Sequence, residues 1–218
     1  MEKICCIISA GDVNLPLLKE KKFEYDYFIA ADLGFEKAKE AGIAPNLLVG
    51  DFDSISQSPP DLLASQSSDL YATQIKQFPI EKDYSDTQLA IEEGINLGYT
   101  HFHIYGALGG DRFSHSLANI QTMCGMKSKG IDVTLMGTNE ALYFIKDSSL
   151  TLSLHENSSF SIFSLTKTSV GVSIEGAKYP LSNHTLTNTL PLGLSNTSIE
   201  DTVTISVKSG TLLVIIEL

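Results

Sequence analysis

Apolar and polar positions follow two different rhythms along this chain, and the change comes near residue 145. Upstream, short apolar runs at Ile4 to Ser9, Tyr27 to Ala31, Leu47 to Val49, His101 to Tyr105 and Val133 to Met136 have the length and density of buried parallel strands. Helical patterns separate them and end at Gly42, Gly98 and Gly130, glycine being the residue that best tolerates the left-handed turn closing a helix. Strands alternating with helices predict an α/β domain with a mostly parallel sheet. Downstream, the Ser- and Thr-rich runs LTLSL, FSIFSL, VSIEG, TLTNTL, TVTISV and TLLVIIE follow one another with no helical period. They predict a small all-β sandwich or barrel domain. The expected domains are residues 1–144 and 145–218.

Polar chemistry concentrates between these elements. The segment GALGGDRFSHSLANI, residues 106–120, joins a glycine-rich turn to Arg112, His115 and the start of a helical pattern. Gly106, Gly109 and Gly110 allow backbone N–H groups to turn toward a ligand, the helix start carries about half a positive charge, and Arg112 offers a planar fork for phosphate. This is anion-binding chemistry, with a plain strand-to-helix turn as the alternative.

Two acidic motifs precede it, VGDFDSI (49–55) and EKDYSDTQLAI (81–91). Asp51 and Asp53 follow an apolar strand, so they belong at its carboxyl end, where open α/β sheets bind ligands. Residues two apart in extended chain face the same side, so both carboxylates can reach one hard cation. Asp83 and Asp86 stand at the entry to the helical pattern Leu89, Ala90, Ile91, Ile95, and an N-cap is the alternative for Asp86. A cap does not explain the other three acids. Carboxylates sharing a pocket repel one another unless a cation joins them, which predicts Mg²⁺ binding.

The formal net charge of −11 argues against a nucleic-acid surface, and the short KEKK run at 19–22 reads as a solvated helix end. No stretch approaches the ~20 apolar residues of a membrane span. The apolar start, Ile4 to Ala10, is too short for a signal peptide, and the three cysteines have no metal spacing, so a cytoplasmic protein with reduced thiols is expected. His101 and His103 alternate within a strand and read as packing or surface residues rather than zinc ligands. The Ser-, Gln- and Pro-rich stretch 54–69 reads as a loop beside the acidic site.

Taken in order, ADLGF (31–35), GDFDSI, KDYSDTQLAI, GALGGDRFSHSLANI and GLSNT (193–197) resemble the motif series of the bacterial thiamine pyrophosphokinases, over nearly the whole chain. Departures are Leu33 for the first of a glycine pair, Ser85 for threonine, Asp111 inserted before Arg112, and Ser114 where aspartate is usual. The resemblance implies transfer of a pyrophosphoryl group from ATP to the thiamine hydroxyl. The 1–144 domain would then bind nucleotide and Mg²⁺, and 145–218 would bind thiamine. On this reading Asp51, Asp53 and Asp86 ligate Mg²⁺, and Asp83 supports them or acts as base. Arg112 and Lys82 hold phosphates, and Asp32, His115 and Asn119 serve the nucleotide. Ser114, Ser195 and Asn196 face thiamine, with Asp111 a substitute for the missing aspartate. The resemblance also implies a homodimer with active sites at its interface. A Mg²⁺-dependent nucleotide pyrophosphohydrolase and a non-catalytic thiamine- or nucleotide-binding protein are the alternatives.

Overall fold

Each apolar run of the first half becomes a strand. The computed structural model describes residues 2–52, 73–81 and 83–218, so Asp53, Lys82 and the stretch 54–69 lie outside the described residues. Strands β1 (Ile4–Ile8), β2 (Tyr27–Ala31), β3 (Leu47–Gly50), β4 (Gln74–Gln77), β5 (His101–Tyr105) and β6 (Asp132–Met136) lie in the order β6-β5-β1-β2-β3-β4. Every pairing among them is parallel. Helices α1 (Leu15–Lys21), α2 (Gly34–Glu40), α3 (Asp86–Asn96) and α4 (Phe113–Ser128) alternate with the strands. Parallel strands need such crossovers, and a sheet covered on both faces buries every side chain of its central strand. Accordingly Cys5, Cys6, Ile7 and Ile8 of β1 have no exposed surface, and burial pushes the Cys5 thiol up to about 12. Gly42, Gly98 and Gly130 close their helices with φ of +68°, +91° and +79°.

The edge strand β4 was not legible. Its sequence QIKQ is exposed throughout, so no alternation marks it, and it exists through its register with β3, Leu47 opposite Gln74 to Gly50 opposite Gln77.

The chain divides into two compact units, residues 1–122 with 131–138, and 123–130 with 139–218. The change of unit falls between Thr138 and Asn139, where the sequence pattern had suggested 144/145. The reason is β7 (Glu140–Lys146), whose seven residues all pair with β14 (Thr211–Glu217). The second unit also contains β8 (Ser149–Ser153), β9 (Ser159–Ser164), β10 (Thr168–Glu175), β11 (Leu181–Thr187), β12 (Gly193–Thr197) and β13 (Thr202–Ser206). Two antiparallel groups form, β12-β9-β14-β7 and β11-β10-β13-β8. Two separate groups make this unit a sandwich rather than a closed barrel. Alternation supplies its core: Phe160 and Ile162 of β9, Val172 and Ile174 of β10, Val203 and Ile205 of β13, and Leu212 and Val214 of β14 are buried. Each such side chain contributes roughly 1.5–3 kcal/mol.

In the first unit a polar chain runs through the packing beside β5. The Tyr25 and Tyr105 hydroxyls are 2.7 Å apart, and His103 Nδ1 lies 3.2 Å from the Tyr25 hydroxyl. Burial, reinforced by the nearby positive charge of Lys21, lowers the His103 pKa from 6.5 to about 4. The folded state therefore holds a neutral imidazole that the unfolded chain protonates more readily. Its stabilising contribution is complete above about pH 6.5 and is lost as pH falls through about 4. Thermal melts between those values should show Tm falling with acidification, and His103→Gln should flatten that slope. An unchanged slope in the variant rules His103 out as its cause.

Candidate active site

The strand order reverses direction beside β1: successive strands run outward to β2, β3 and β4 on one side and to β5 and β6 on the other. Open sheets bind ligands at the carboxyl ends of strands flanking such a point. Here the two loops leaving β1 and β5 approach closely enough to bond backbone to backbone. The Gly11 N–H donates to the Gly106 carbonyl at 2.9 Å, and a Cβ on Gly11 would lie 2.6 Å from that oxygen. A cleft of about 840 Å³ opens there, wholly within the first unit. Ligand sites for drug-sized molecules span about 300–1,000 Å³, so the space suits a nucleotide.

One wall is the glycine turn. Gly109 and Gly110 adopt φ of +75° and +76°. Their amides, expected to face a ligand, are instead taken by side chains: Gly109 N–H donates to Ser116 Oγ at 3.1 Å and Gly110 N–H to Asp12 Oδ2 at 2.8 Å. Asn119 Nδ2 donates to the Ala107 carbonyl at 2.7 Å and so ties α4 to the turn. The turn thus acts as a rigid mount. It presents Arg112 and His115, both exposed side chains on the cleft, and Asp111 beside them. The His115 amide donates to the Arg112 carbonyl at 3.0 Å and so starts α4. Ser114 is exposed but does not line the cleft.

The opposite wall is acidic. Asp32 follows β2 with φ of +47°, is 8% exposed, and donates its backbone N–H to the Val49 carbonyl at 2.8 Å. Asp51 follows β3 and is half-buried, while its carbonyl accepts from Gln77 Nε2 at 3.3 Å. Phe52, at φ of +63°, packs with Ala30, Phe35 and Leu48 and anchors the chain just after Asp51. At α3 the N-cap is Ser85, whose Oγ accepts the Gln88 N–H at 3.3 Å. That corrects the alternative reading of Asp86 as cap; Asp86 is the first helical residue and lines the cleft. Asp83 is exposed and stands apart from the cleft lining.

Asp12, Asp32, Asp51, Asp86 and Asp111 therefore share a cleft with one arginine. Ser9, Asp12, Thr87 and Ser116 were not singled out in the sequence. The signal for Asp12 was present, since it follows the first apolar strand as Asp51 follows the third.

In the second unit Ser195 and Asn196 lie on β12 and do different work. Asn196 is buried, its Oδ1 accepting from the Tyr179 and Thr197 amides at 3.0 and 2.8 Å and its Nδ2 donating to the Tyr179 carbonyl at 2.8 Å. It ties the β10–β11 connection to β12. Ser195 has φ of +58°, where the β12–β9 register shifts, and its side chain is exposed.

Comparison with known proteins agrees with this division. A family model described as "Thiamin pyrophosphokinase, catalytic domain" matches residues 18–135, more than half of the chain. The chain belongs to the thiamine pyrophosphokinase family. A second model, "Thiamin pyrophosphokinase, vitamin B1 binding domain", matches residues 148–212. The chain is 28% identical to the thiamine pyrophosphokinase of Bacillus subtilis over 211 residues, 96% of each chain. A crystal structure of thiamine pyrophosphokinase from Bacillus subtilis is similar with TM-score 0.87 at 26% identity, covering 99% of both chains. That from Candida albicans shares the fold with TM-score 0.81 at 16% identity, covering 100% of this chain and 89% of that one.

The clamp on the glycine turn is testable without any ligand. Asp12→Ala should raise hydrogen exchange at the Gly110 amide and cost about 1 kcal/mol, less than the roughly 1.5–3 kcal/mol of a bond to a charged acceptor because Asp12 is exposed. Exchange at Gly110 equal to the parent protein's would show that Asp12 does not hold the turn.

Proposed function

We propose that this protein transfers a pyrophosphoryl group from ATP to the hydroxyl of thiamine, giving thiamine diphosphate and AMP. The observation that carries the reading is the cleft itself. Its acidic wall of Asp32, Asp51 and Asp86 faces Arg112 and His115 at the switch point of the sheet, within the region matching the family's catalytic domain. In this reaction the thiamine oxygen attacks the β-phosphorus, the α–β bridging oxygen departs with AMP, and the hydroxyl proton passes to a base.

The chemistry of the donor set suits a hard cation, since the cleft offers carboxylates that follow strands β1, β2 and β3 and one that starts α3, and no thiol, while no three of them cluster as a preformed metal site among the described residues. Asp51 and Asp86, with Asp53, are the residues that would hold Mg²⁺, and the metal when bound supplies charge neutralisation on the polyphosphate. Arg112 places its guanidinium against phosphate oxygens, where growing negative charge is met without reorganisation. Lys82 is assigned to the phosphates as well, His115 and Asp32 to the nucleotide, and Asp83 to support or proton acceptance. Ser195 presents its hydroxyl to thiamine while Asn196 keeps β12 in place. Asp111, which lines the cleft while Ser114 does not, takes the place of the family's aspartate.

The protein is proposed to work as a homodimer. β12 is an edge strand, and Leu192, Leu194 and nearby Leu190, Tyr179 and Ile199 are each more than half exposed, an apolar edge suited to a second copy. A cytoplasmic location fits the free thiols, and no described helix is long and apolar enough to cross a membrane.

Incubation with ATP, Mg²⁺ and thiamine tests the reaction. AMP with thiamine diphosphate is expected; ADP with thiamine monophosphate, or phosphate release without change to thiamine, refutes it. Asp51→Asn and Asp86→Asn should each lower turnover by roughly 10² or more with the fold intact by circular dichroism. Near-normal turnover in both at saturating Mg²⁺ removes them from the metal site.

The two candidates for the missing aspartate separate by kinetics. Asp111→Asn should raise the thiamine KM or lower kcat about tenfold, because an opposite charge near the cationic vitamin contributes on the order of 1 to 3 kcal/mol. Ser114→Ala should be milder. An Asp111→Asn enzyme indistinguishable from the parent rules the substitution out.

A further inference from the structure

Two hydroxyls on the cleft belong neither to its acidic wall nor to its glycine turn. Ser9 follows β1 and Thr87 is the second residue of α3, 78 positions apart in sequence, yet Ser9 Oγ and Thr87 Oγ1 lie 2.9 Å apart. Ser9 is 3% exposed and Thr87 8%, and both line the cleft.

A hydroxyl carries one proton and two acceptor positions. A single hydrogen bond between two hydroxyls uses one of their two protons. The second proton has no protein acceptor among the described residues, and a buried donor without an acceptor is costly. The polar space open to it is the cleft. The backbone adds a donor in the same place, because the Thr87 amide is one of the first four that a helix leaves without an internal acceptor. A simple link between β1 and α3 would be served as well by an apolar contact, which leaves no proton to satisfy.

We propose that the Ser9–Thr87 pair is a phosphate-binding element of the nucleotide site: the hydroxyl proton that the pair does not consume donates to a non-bridging phosphate oxygen, beside the Thr87 amide. Ser9 holds the Thr87 side chain in the rotamer that permits this, so Ser9 is the positioning residue and Thr87 the binding one. Thr87 follows Asp86 directly, so the pair also sets the height of phosphate relative to the carboxylate wall. The inference rests on the nucleotide reading of the cleft.

The test measures ATP binding by calorimetry with Mg²⁺, adenosine binding as a phosphate-free control, and Tm, for the parent and for Thr87→Val, Thr87→Ser and Ser9→Ala. Thr87→Val should raise the ATP Kd about tenfold, while Thr87→Ser, which keeps the donor, stays within about twofold of the parent. Adenosine binding and Tm should be little changed in either. Ser9→Ala should weaken ATP binding less than Thr87→Val. A Thr87→Val protein with the parent's ATP Kd overturns the assignment, as does a loss that Thr87→Ser fails to restore or that adenosine shares. A parent protein that does not bind ATP overturns this inference and the proposed reaction together. A parent that binds ATP but forms no thiamine diphosphate, with the loss in Thr87→Val still present, sinks the reaction and leaves the phosphate element standing.

Discussion

The first unit depends on one close approach, that of the β1 loop to the β5 loop. Gly11 donates its amide to the Gly106 carbonyl, and neither position has room for a Cβ: on Gly106 it would come 2.3 Å from the Ser9 carbonyl. Side chains at these positions would force the loops apart. The close backbone contact brings Asp12 within reach of Gly110 on the β5 loop, while Ser9 reaches Thr87 of α3. A second approach repeats the device, since a Cβ on Gly34 would collide with the Ile8 carbonyl, so α2 starts hard against the end of β1. With α2 held there, Asp32 and Leu33 stand on the cleft rather than beyond it.

Charge then decides what the cleft can do. Two carboxylates about 4 Å apart at an effective dielectric near 20 repel by roughly 4 kcal/mol, which exceeds the net worth of a typical hydrogen bond several times over. Five aspartates and one arginine line a common cleft, and the proposed binding of ATP with Mg²⁺ is the way their like charges would be offset. The chain's net charge of −11 acts in the same direction at long range, though screening limits it beyond about 10 Å. On the proposed reaction a polyphosphate would enter as a complex with its cation, with Arg112 and His115 beside it to fix its pose. The glycine turn, its amides at 109 and 110 committed to Ser116 and Asp12, contributes rigidity to that pose rather than charge.

The legible parts of the fold were those with a local signal. Buried parallel strands such as Tyr27–Ala31 and His101–Tyr105 announce themselves as apolar runs, and helix-closing glycines by their place after a periodic stretch. β4 and β12 were not read as strands because neither carries an alternation of apolar side chains. β4 is fully exposed, and β12 is broken by the left-handed Ser195 at its register shift. In the cleft, Asp51 was legible from its place after an apolar strand, Asp86 from its place at a helix start and Arg112 from the glycine turn, whereas Asp32 came only from the resemblance and Asp12 was missed. What stayed hidden were partnerships over long separations: Ser9 with Thr87, Asp12 with Gly110, and Asn196 with Tyr179. Nothing local distinguishes such residues from any serine, aspartate or asparagine in a loop.

Asn196 shows why residue type alone is a poor guide to role. An asparagine side chain offers two acceptor positions and two donor protons, and here both acceptor positions and one proton go to backbone groups of Tyr179 and Thr197. Its neighbour Ser195 is held at positive φ, a conformation unfavourable for a residue with a Cβ, which the surroundings must enforce. The bonds of Asn196 to Tyr179 and of the Ser195 amide to Ser161 Oγ are that enforcement. The two neighbours thus act together, because the buried amide of Asn196 fixes the strand and the strain it sustains turns the serine outward.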